Sequence, residues 1–148
     1  MQNKIVAIAS DHAGFSLKQS LIEYLHDSGY IPIDLGTNSE ESVDYPVYAL
    51  EMAQVIESRE AELGILICGT GIGISIAANR NICVRAALCR DDEDADMARK
   101  HNDSNILALG ARITDIADIK EIVEVWLNTE FEGGRHQDRI NKIKNINE

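Results

Sequence analysis

The sequence is short of several things whose absence narrows its function. No apolar run approaches the ~18 residues of a membrane span. No C-x-x-C pair occurs, and no two His or Cys residues stand at ligand spacing, which argues against zinc; no metal and no other cofactor is expected. Basic residues are scarce, 14 Lys and Arg against 25 Asp and Glu, a net charge of −11. That balance argues against non-specific binding to nucleic acid or to an anionic membrane surface. An anionic ligand would have to be held by a few local Arg, Lys or backbone N–H groups. The three cysteines, Cys68, Cys83 and Cys89, are odd in number and lie in mostly apolar surroundings, as free thiols of a reducing cytoplasm do. Met1–Lys4 runs straight into an apolar strand-like segment, so no signal peptide and a cytoplasmic location are expected. Long linkers, repeats and low-complexity tracts are also missing. The 148 residues fit one domain, residues 1–148, and a chain of this length buries roughly 70% of its unfolded surface without a disulfide or metal staple.

What is present is an alternation of short apolar runs with helical patterns. The runs Lys4–Ala9, Ile31–Leu35, Leu63–Cys68, Val84–Leu88 and Ile106–Leu109 mostly lack polar alternation, as expected for parallel strands covered on both faces. Between the first two, Leu17, Leu21, Ile22 and Leu25 share a helix face that Gly29 stops. Further helices are expected over Tyr45–Glu57 with Pro46 at its opening, from Gly73, from Asp91 to His101, around Ile119, Ile122, Val123 and Trp126, and from Arg135 towards Ile146, with the charged tail after Ile143 fraying. This β-α repetition predicts a Rossmann-like three-layer α/β/α sandwich around a parallel sheet of about five strands. Ligands of such folds collect at the carboxyl ends of the strands, here after Ala9, Leu35, Ile67 and Leu109.

The third strand ends in Cys68-Gly69-Thr70-Gly71-Ile72-Gly73. Alternating glycines let the backbone turn sharply and expose N–H groups that suit an anion or oxyanion; a plain tight turn is the alternative. The G-x-G-x-G spacing is not the G-x-G-x-x-G dinucleotide fingerprint, and Walker A lacks its Lys. A thiol at a strand end beside a helix N-terminus is a candidate base or nucleophile, or else a small buried hydrophobe. The latter reading is taken for Cys83 and Cys89.

Asp11 and His12 follow the first strand, either facing a ligand or forming a helix-entry turn. His101 closes a helix whose first turn is Asp91-Asp92-Glu93-Asp94 and whose last is Arg99-Lys100-His101, matching the helix dipole. It is a candidate general acid or a solvated helix end. His26 reads as surface. Arg135 and Arg139 share one helix face, with Ile140 and Ile143 on another, and could clamp a phosphate or make surface salt bridges.

Six ordered segments together carry more than any one of them: Ser10-Asp11-His12-Ala13-Gly14-Phe15, Asp44-Tyr45-Pro46, Cys68-Gly69-Thr70-Gly71-Ile72-Gly73, Arg99-Lys100-His101-Asn102-Asp103, Gly110-Ala111-Arg112 and Glu132-Gly133-Gly134-Arg135-His136-Gln137. With them the sequence resembles type B ribose-5-phosphate isomerases over nearly its whole length. The resemblance implies metal-independent aldose–ketose isomerisation between ribose 5-phosphate and ribulose 5-phosphate. It implies Cys68 as the base between C2 and C1, Thr70 as an aid to proton traffic, and His101 as the acid that opens the furanose ring. The N–H groups of Gly69, Gly71, Ile72 and Gly73 would stabilise the enediolate. Asp11, Tyr45 and Asn102 would contact the sugar, and His12, Arg112, Arg135 and Arg139 the phosphate. A homodimer, or a tetramer built from dimers, is implied, with the segment carrying His101 and Arg112 supplied by the partner. A branch of the family uses a Glu just after the glycine loop as base. Ile74 stands there, so the cysteine branch is matched. Allose 6-phosphate and galactose 6-phosphate isomerases share the scaffold, and a non-catalytic phosphosugar-binding protein is a further alternative. Intact Cys68 and His101 favour the ribose enzyme.

Overall fold

Alternate residues of the central strand go to opposite layers. Ile65 and Ile67 pack with Leu21, Leu25, Ile122, Val123 and Trp126 on one face of the sheet. Leu66 and Cys68 pack with Ala49, Met52, Ala53, Ile74 and Ala78 on the other. A computed structural model describes residues 4–145. Its strands are β1 (Ile5–Ser10), β2 (Ile31–Asp34), β3 (Leu63–Cys68), β4 (Ala86–Leu88) and β5 (Ile106–Gly110). Its helices are α1 (Phe15–Asp27), α2 (Tyr45–Glu57), α3 (Ile72–Ala78), α4 (Asp92–Asn102), α5 (Ile116–Asn128) and α6 (Arg135–Lys144). All strand pairs are parallel, in the order β2-β1-β3-β5-β4. This is the expected Rossmann-like sandwich. Among the described residues, no helix is long and apolar enough to cross a membrane.

The chain leaves β1 through α1 to reach β2 on one side, then returns through α2 to place β3 on the other. The crevice between the carboxyl ends of β1 and β3 is therefore a topological switch point, where such sheets bind ligands. Local chemistry fixes the neighbouring elements. The Asp91 side chain accepts from the Asp94 N–H at 2.7 Å and starts α4, and Asp103 ends it in a left-handed conformation at φ 45°.

Three expectations needed adjustment. Strand β4 begins at Ala86 rather than Val84, because the Val84 N–H turns back to the Asn81 carbonyl and the Arg85 N–H bonds to Asn105 Oδ1. On α1 the fully buried set is Lys18, Leu21 and Leu25, while Leu17 and Ile22 are half-buried. Lys18 tolerates burial because Asp34 Oδ1 and Oδ2 accept from its Nζ at 2.7 and 2.8 Å. On α6, Ile140 is buried but Ile143 is 54% exposed. Lys144 is still helical and Asn145 caps the helix with its N–H on the Asn141 carbonyl, while the rest of the expected fraying tail, from Ile146, lies outside the described residues.

Candidate active site

Cys68 ends β3 on the α2–α3 face and is 4% exposed. The loop turns back over it: Gly71 adopts φ 79°, and its N–H donates to Cys68 Sγ at 3.1 Å. An added Cβ at Gly71 would lie 2.5 Å from Leu88 Cδ1 and 2.9 Å from the Leu109 carbonyl carbon, so only glycine fits this turn. The Ile72 N–H donates to Thr70 Oγ1 at 3.2 Å. Two of the donors expected to face an oxyanion, those of Gly71 and Ile72, are thus engaged within the loop, by the thiol and by the Thr70 hydroxyl.

Four further expected residues gather here. Asp11 is buried, and its Oδ1 accepts from the N–H groups of Ala13 and Gly14 at 3.0 and 3.2 Å. It therefore does make the helix-entry turn, with one carboxylate oxygen. The Val43 N–H donates to His12 Nδ1 at 3.1 Å, which leaves Nε2 as the ring's other nitrogen. Tyr45 opens α2 against the glycine loop, close enough that a Cβ at Gly73 would meet its ring at 2.6 Å. Arg112 follows β5, donates its N–H to the Gly69 carbonyl at 2.9 Å, and brings Nη1 to 3.3 Å from where a Cβ at Gly69 would be.

His101 and Asn102 stand elsewhere. They end α4 at the opposite, amino edge of the sheet, where Arg85 Nε donates to the Asn102 and Asp103 carbonyls at 3.1 and 3.0 Å. There too the Gly64 N–H bonds to the Asn105 carbonyl at 2.9 Å. From this edge the paired strands run from Gly64↔Ile106 to Cys68↔Gly110, about 13 Å of strand. The first turns of α6 join His101. The Glu132 N–H donates to the Lys100 carbonyl at 3.1 Å, and the His136 ring stacks on His101 with centroids 4.2 Å apart and planes 14° from parallel. Glu132 Oε1 lies 3.9 Å from His101 Nε2 and 3.5 Å from His136 Nε2. Burial first, then the charges of His101, Arg135 and Arg139, push the His136 imidazole below its usual range, with Glu132 opposing. Arg135 and Arg139 are exposed, and neither pairs with a carboxylate among the described residues. The salt-bridge alternative read from the sequence is therefore not taken up.

The chain matches the family described as "Ribose/Galactose Isomerase" over residues 6–143. It belongs to that family. It is 46% identical over 143 residues to ribose-5-phosphate isomerase B of Escherichia coli, covering 97% of this chain and 96% of that one. A solved ribose 5-phosphate isomerase of Thermotoga maritima superposes with a TM-score of 0.95 at 51% identity, covering 97% and 99% of the two chains. Ribose-5-phosphate isomerase B of Mycoplasma genitalium, solved with bound ribulose-5-phosphate, superposes at 0.92 with 40% identity, covering 99% and 97%. The chain is an isomerase.

Within this family frame, one expectation is corrected. The resemblance implies that one partner-supplied segment carries both His101 and Arg112, but Arg112 sits beside Gly69 and Cys68 of its own chain, far from His101, because β5 is the direct neighbour of β3. Ile74, at the alternative base position, is fully buried in the core. Cys89 is buried as expected, and its thiol is pushed up to about 12 by burial and then by Asp94 and Asp91. Cys83 is only half-buried, and His26 is exposed. Sequence reasoning missed Glu132 and His136 as neighbours of His101. One ligand atom from each of these three residues lies within 4.8 Å of the others. Nearly parallel stacked rings send their in-plane lone pairs side by side rather than to a common point, so the trio is an imidazole–carboxylate cluster and not a preformed metal site. Only the Glu132–His136 spacing of four was open to the sequence.

Proposed function

We propose that the chain interconverts ribose 5-phosphate and ribulose 5-phosphate through an enediolate, at a site shared between two copies. The observation that carries this is the Cys68 thiol at the end of β3, at the switch point, with the Gly71 N–H donating to its sulfur at 3.1 Å. The names of the Escherichia coli and Mycoplasma genitalium relatives support the same substrate.

The furanose ring of ribose 5-phosphate hides the carbonyl, so a general acid must first protonate the ring oxygen as its bond to C1 breaks, while the C1 hydroxyl gives up its proton to water and becomes the carbonyl; His101 takes the part of the acid. In the open aldose the C1 carbonyl acidifies the C2 proton. Cys68 removes that proton and returns it at C1, while Thr70 assists transfer between O2 and O1. Charge develops on the enediolate oxygens only along the reaction path, where the glycine-loop N–H groups of Gly69 and Gly73, which have no partner among the described residues, act on it. Asp11 Oδ2, Tyr45 and Asn102 bind sugar hydroxyls, and His12, Arg112, Arg135 and Arg139 hold the phosphate.

His101, Asn102, Arg135 and Arg139 belong to the amino-edge cluster and Cys68 to the carboxyl edge, so one chain cannot apply both to one sugar. A second copy supplies the missing half, and two-fold symmetry makes two such sites. The apolar surface beside the glycine loop supports that partner: Val47 and Leu50 on α2 and Ile72 and Ile76 on α3 are 58%, 56%, 42% and 63% exposed.

Ketose formation from ribose 5-phosphate, with allose 6-phosphate and galactose 6-phosphate in parallel, tests the substrate. The five-carbon sugar is expected to turn over with the highest kcat/KM. Faster turnover of either six-carbon sugar reassigns the substrate. Binding without turnover of any makes the chain a phosphosugar-binding protein.

A further inference from the structure

We propose that His136, together with Glu132, is a positioning residue that holds the His101 ring at the angle from which it opens the sugar. The inference rests on the reading of His101 as the ring-opening acid.

A general acid must present one nitrogen within about 3 Å of the atom it protonates, and a loosely held side chain dilutes that geometry over its rotamers. His101 is open to such loss, because it ends a helix and its side chain is 38% exposed. His136 is not, being 4% exposed in the first turn of α6. The stack at 4.2 Å and 14° therefore fixes the plane of a mobile ring against that of a rigid one. Glu132 Oε1 flanks the same edge of the stack, 3.9 Å and 3.5 Å from the two Nε2 atoms, beyond hydrogen-bond distance of the His136 ring but near enough to bias both rings electrostatically. The Glu132 N–H on the Lys100 carbonyl ties the loop before α6 to the last turn of α4, so acid, platform and carboxylate form one body.

Two details separate this from ordinary packing. His136 Nε2 is buried with no hydrogen-bond partner among the described residues. A buried polar atom left so is costly, and an apolar ring of similar size would fill the place without that cost. In addition, α6 carries Arg135 and Arg139, so the helix that grips the phosphate also supplies the platform for the acid. The distance between the phosphate end and the ring-oxygen end of the substrate is thereby set by one rigid element.

Direction of reaction gives the test. Ribose 5-phosphate is bound mainly as a ring, whereas ribulose 5-phosphate cannot form a furanose ring, because its O5 carries the phosphate. Poor placement of the ring-opening acid slows the aldose-to-ketose direction and spares initial rates of the reverse, since the open aldose can leave and close in solution. Initial rates in both directions are measured for the wild type, His136→Ala, His136→Phe, Glu132→Gln and His101→Ala. His136→Ala is expected to lower forward kcat by about 10- to 100-fold and the reverse rate by less than about 3-fold. His136→Phe keeps a flat platform and should recover part of the forward loss, and Glu132→Gln should show a smaller loss of the same one-sided kind. The preserved reverse rate also reports that each variant is folded. Equal losses in both directions for the His136 variants, or no loss in either, overturn the inference if His101→Ala is itself one-sided. If His101→Ala loses both directions equally, the assignment of His101 as ring opener fails instead, and the platform role falls with it.

Discussion

Cys68 and His101 stand at opposite edges of one parallel sheet. Cys68 closes β3 at its carboxyl end, while His101 lies beyond the amino end of the neighbouring β5, beside the start of β3. The proposed function therefore requires two chains. Assayed for ribulose 5-phosphate formation from ribose 5-phosphate, Cys68→Ser and His101→Ala homodimers should each be nearly inactive. In a mixed dimer one site collects both lesions and the other keeps both wild-type residues. After random reassortment half the dimers are mixed, each with one good site of two, so roughly a quarter of wild-type activity should return. Native mass spectrometry of a tagged mixture verifies the exchange. Mixed dimers whose activity stays at the sum of the parents would place both residues in one chain's site.

Arg135 and Arg139 are exposed and unpaired with carboxylates among the described residues, so their guanidinium groups are free for a dianion. Hydrogen bonds to charged groups contribute about 1.5–3 kcal/mol, so either Ala variant should weaken ribose 5-phosphate binding about 10- to 100-fold. Lys should restore only part, because it lacks the planar fork. Calorimetric titration checks this, and unchanged affinity in both Ala variants moves the phosphate site elsewhere.

Gly71→Ala should cost stability and activity together. The residue holds φ 79°, and its added Cβ would meet Leu88 Cδ1 at 2.5 Å and the Leu109 carbonyl carbon at 2.9 Å. Strain and overpacking of this kind cost about 1–3 kcal/mol, or a fall in Tm of a few degrees for a domain of this size. The loop would also shift its N–H off Cys68 Sγ. A variant with wild-type Tm and kcat would mean that this turn is not held as described.

The buried Cys89 thiol, pushed up to about 12, should resist alkylation. At pH 8 its thiolate fraction is on the order of one in ten thousand. Iodoacetamide at pH 8 should leave Cys89 unmodified in the folded protein, as peptide mass spectrometry reads out. The linkage has a definite sign: a folded pKa above the unfolded value of about 8.5 gives a contribution to stability that is complete below pH ~8.5 and is lost as pH rises towards 12. Denaturant midpoints should therefore fall over that range, and Cys89→Ala should remove this part of the fall.

The layers were legible because both faces of the inner strands β1, β3 and β5 are covered, and the apolar runs marked these strands and the edge strand β2 to within a residue. The start of helix α2 was marked by Pro46, which stands in its first turn. The sharp turn after β3 was legible in its glycine spacing, and Gly71 makes it at φ 79°. Lys18 was not, because its neutralising partner Asp34 comes from the next strand and helical periodicity cannot announce a buried charge. The closeness of Arg112 to Gly69 was not legible, because the β3–β5 adjacency that brings them together is a matter of strand order rather than of any local pattern. The pairing of His136 with His101 is equally invisible to local pattern: its partner lies at the end of α4, and only the loop tied to Lys100 brings the two rings together.

The central claim is that Cys68 moves the proton between C2 and C1 of ribose 5-phosphate. The most direct measurement is ribulose 5-phosphate formation by the wild type and by Cys68→Ala, with ribose 5-phosphate binding measured on both by calorimetry. The account predicts that kcat falls by about 10²- to 10⁴-fold while binding stays within a few-fold. A Cys68→Ala protein that turns over ribose 5-phosphate at near wild-type rate would contradict it.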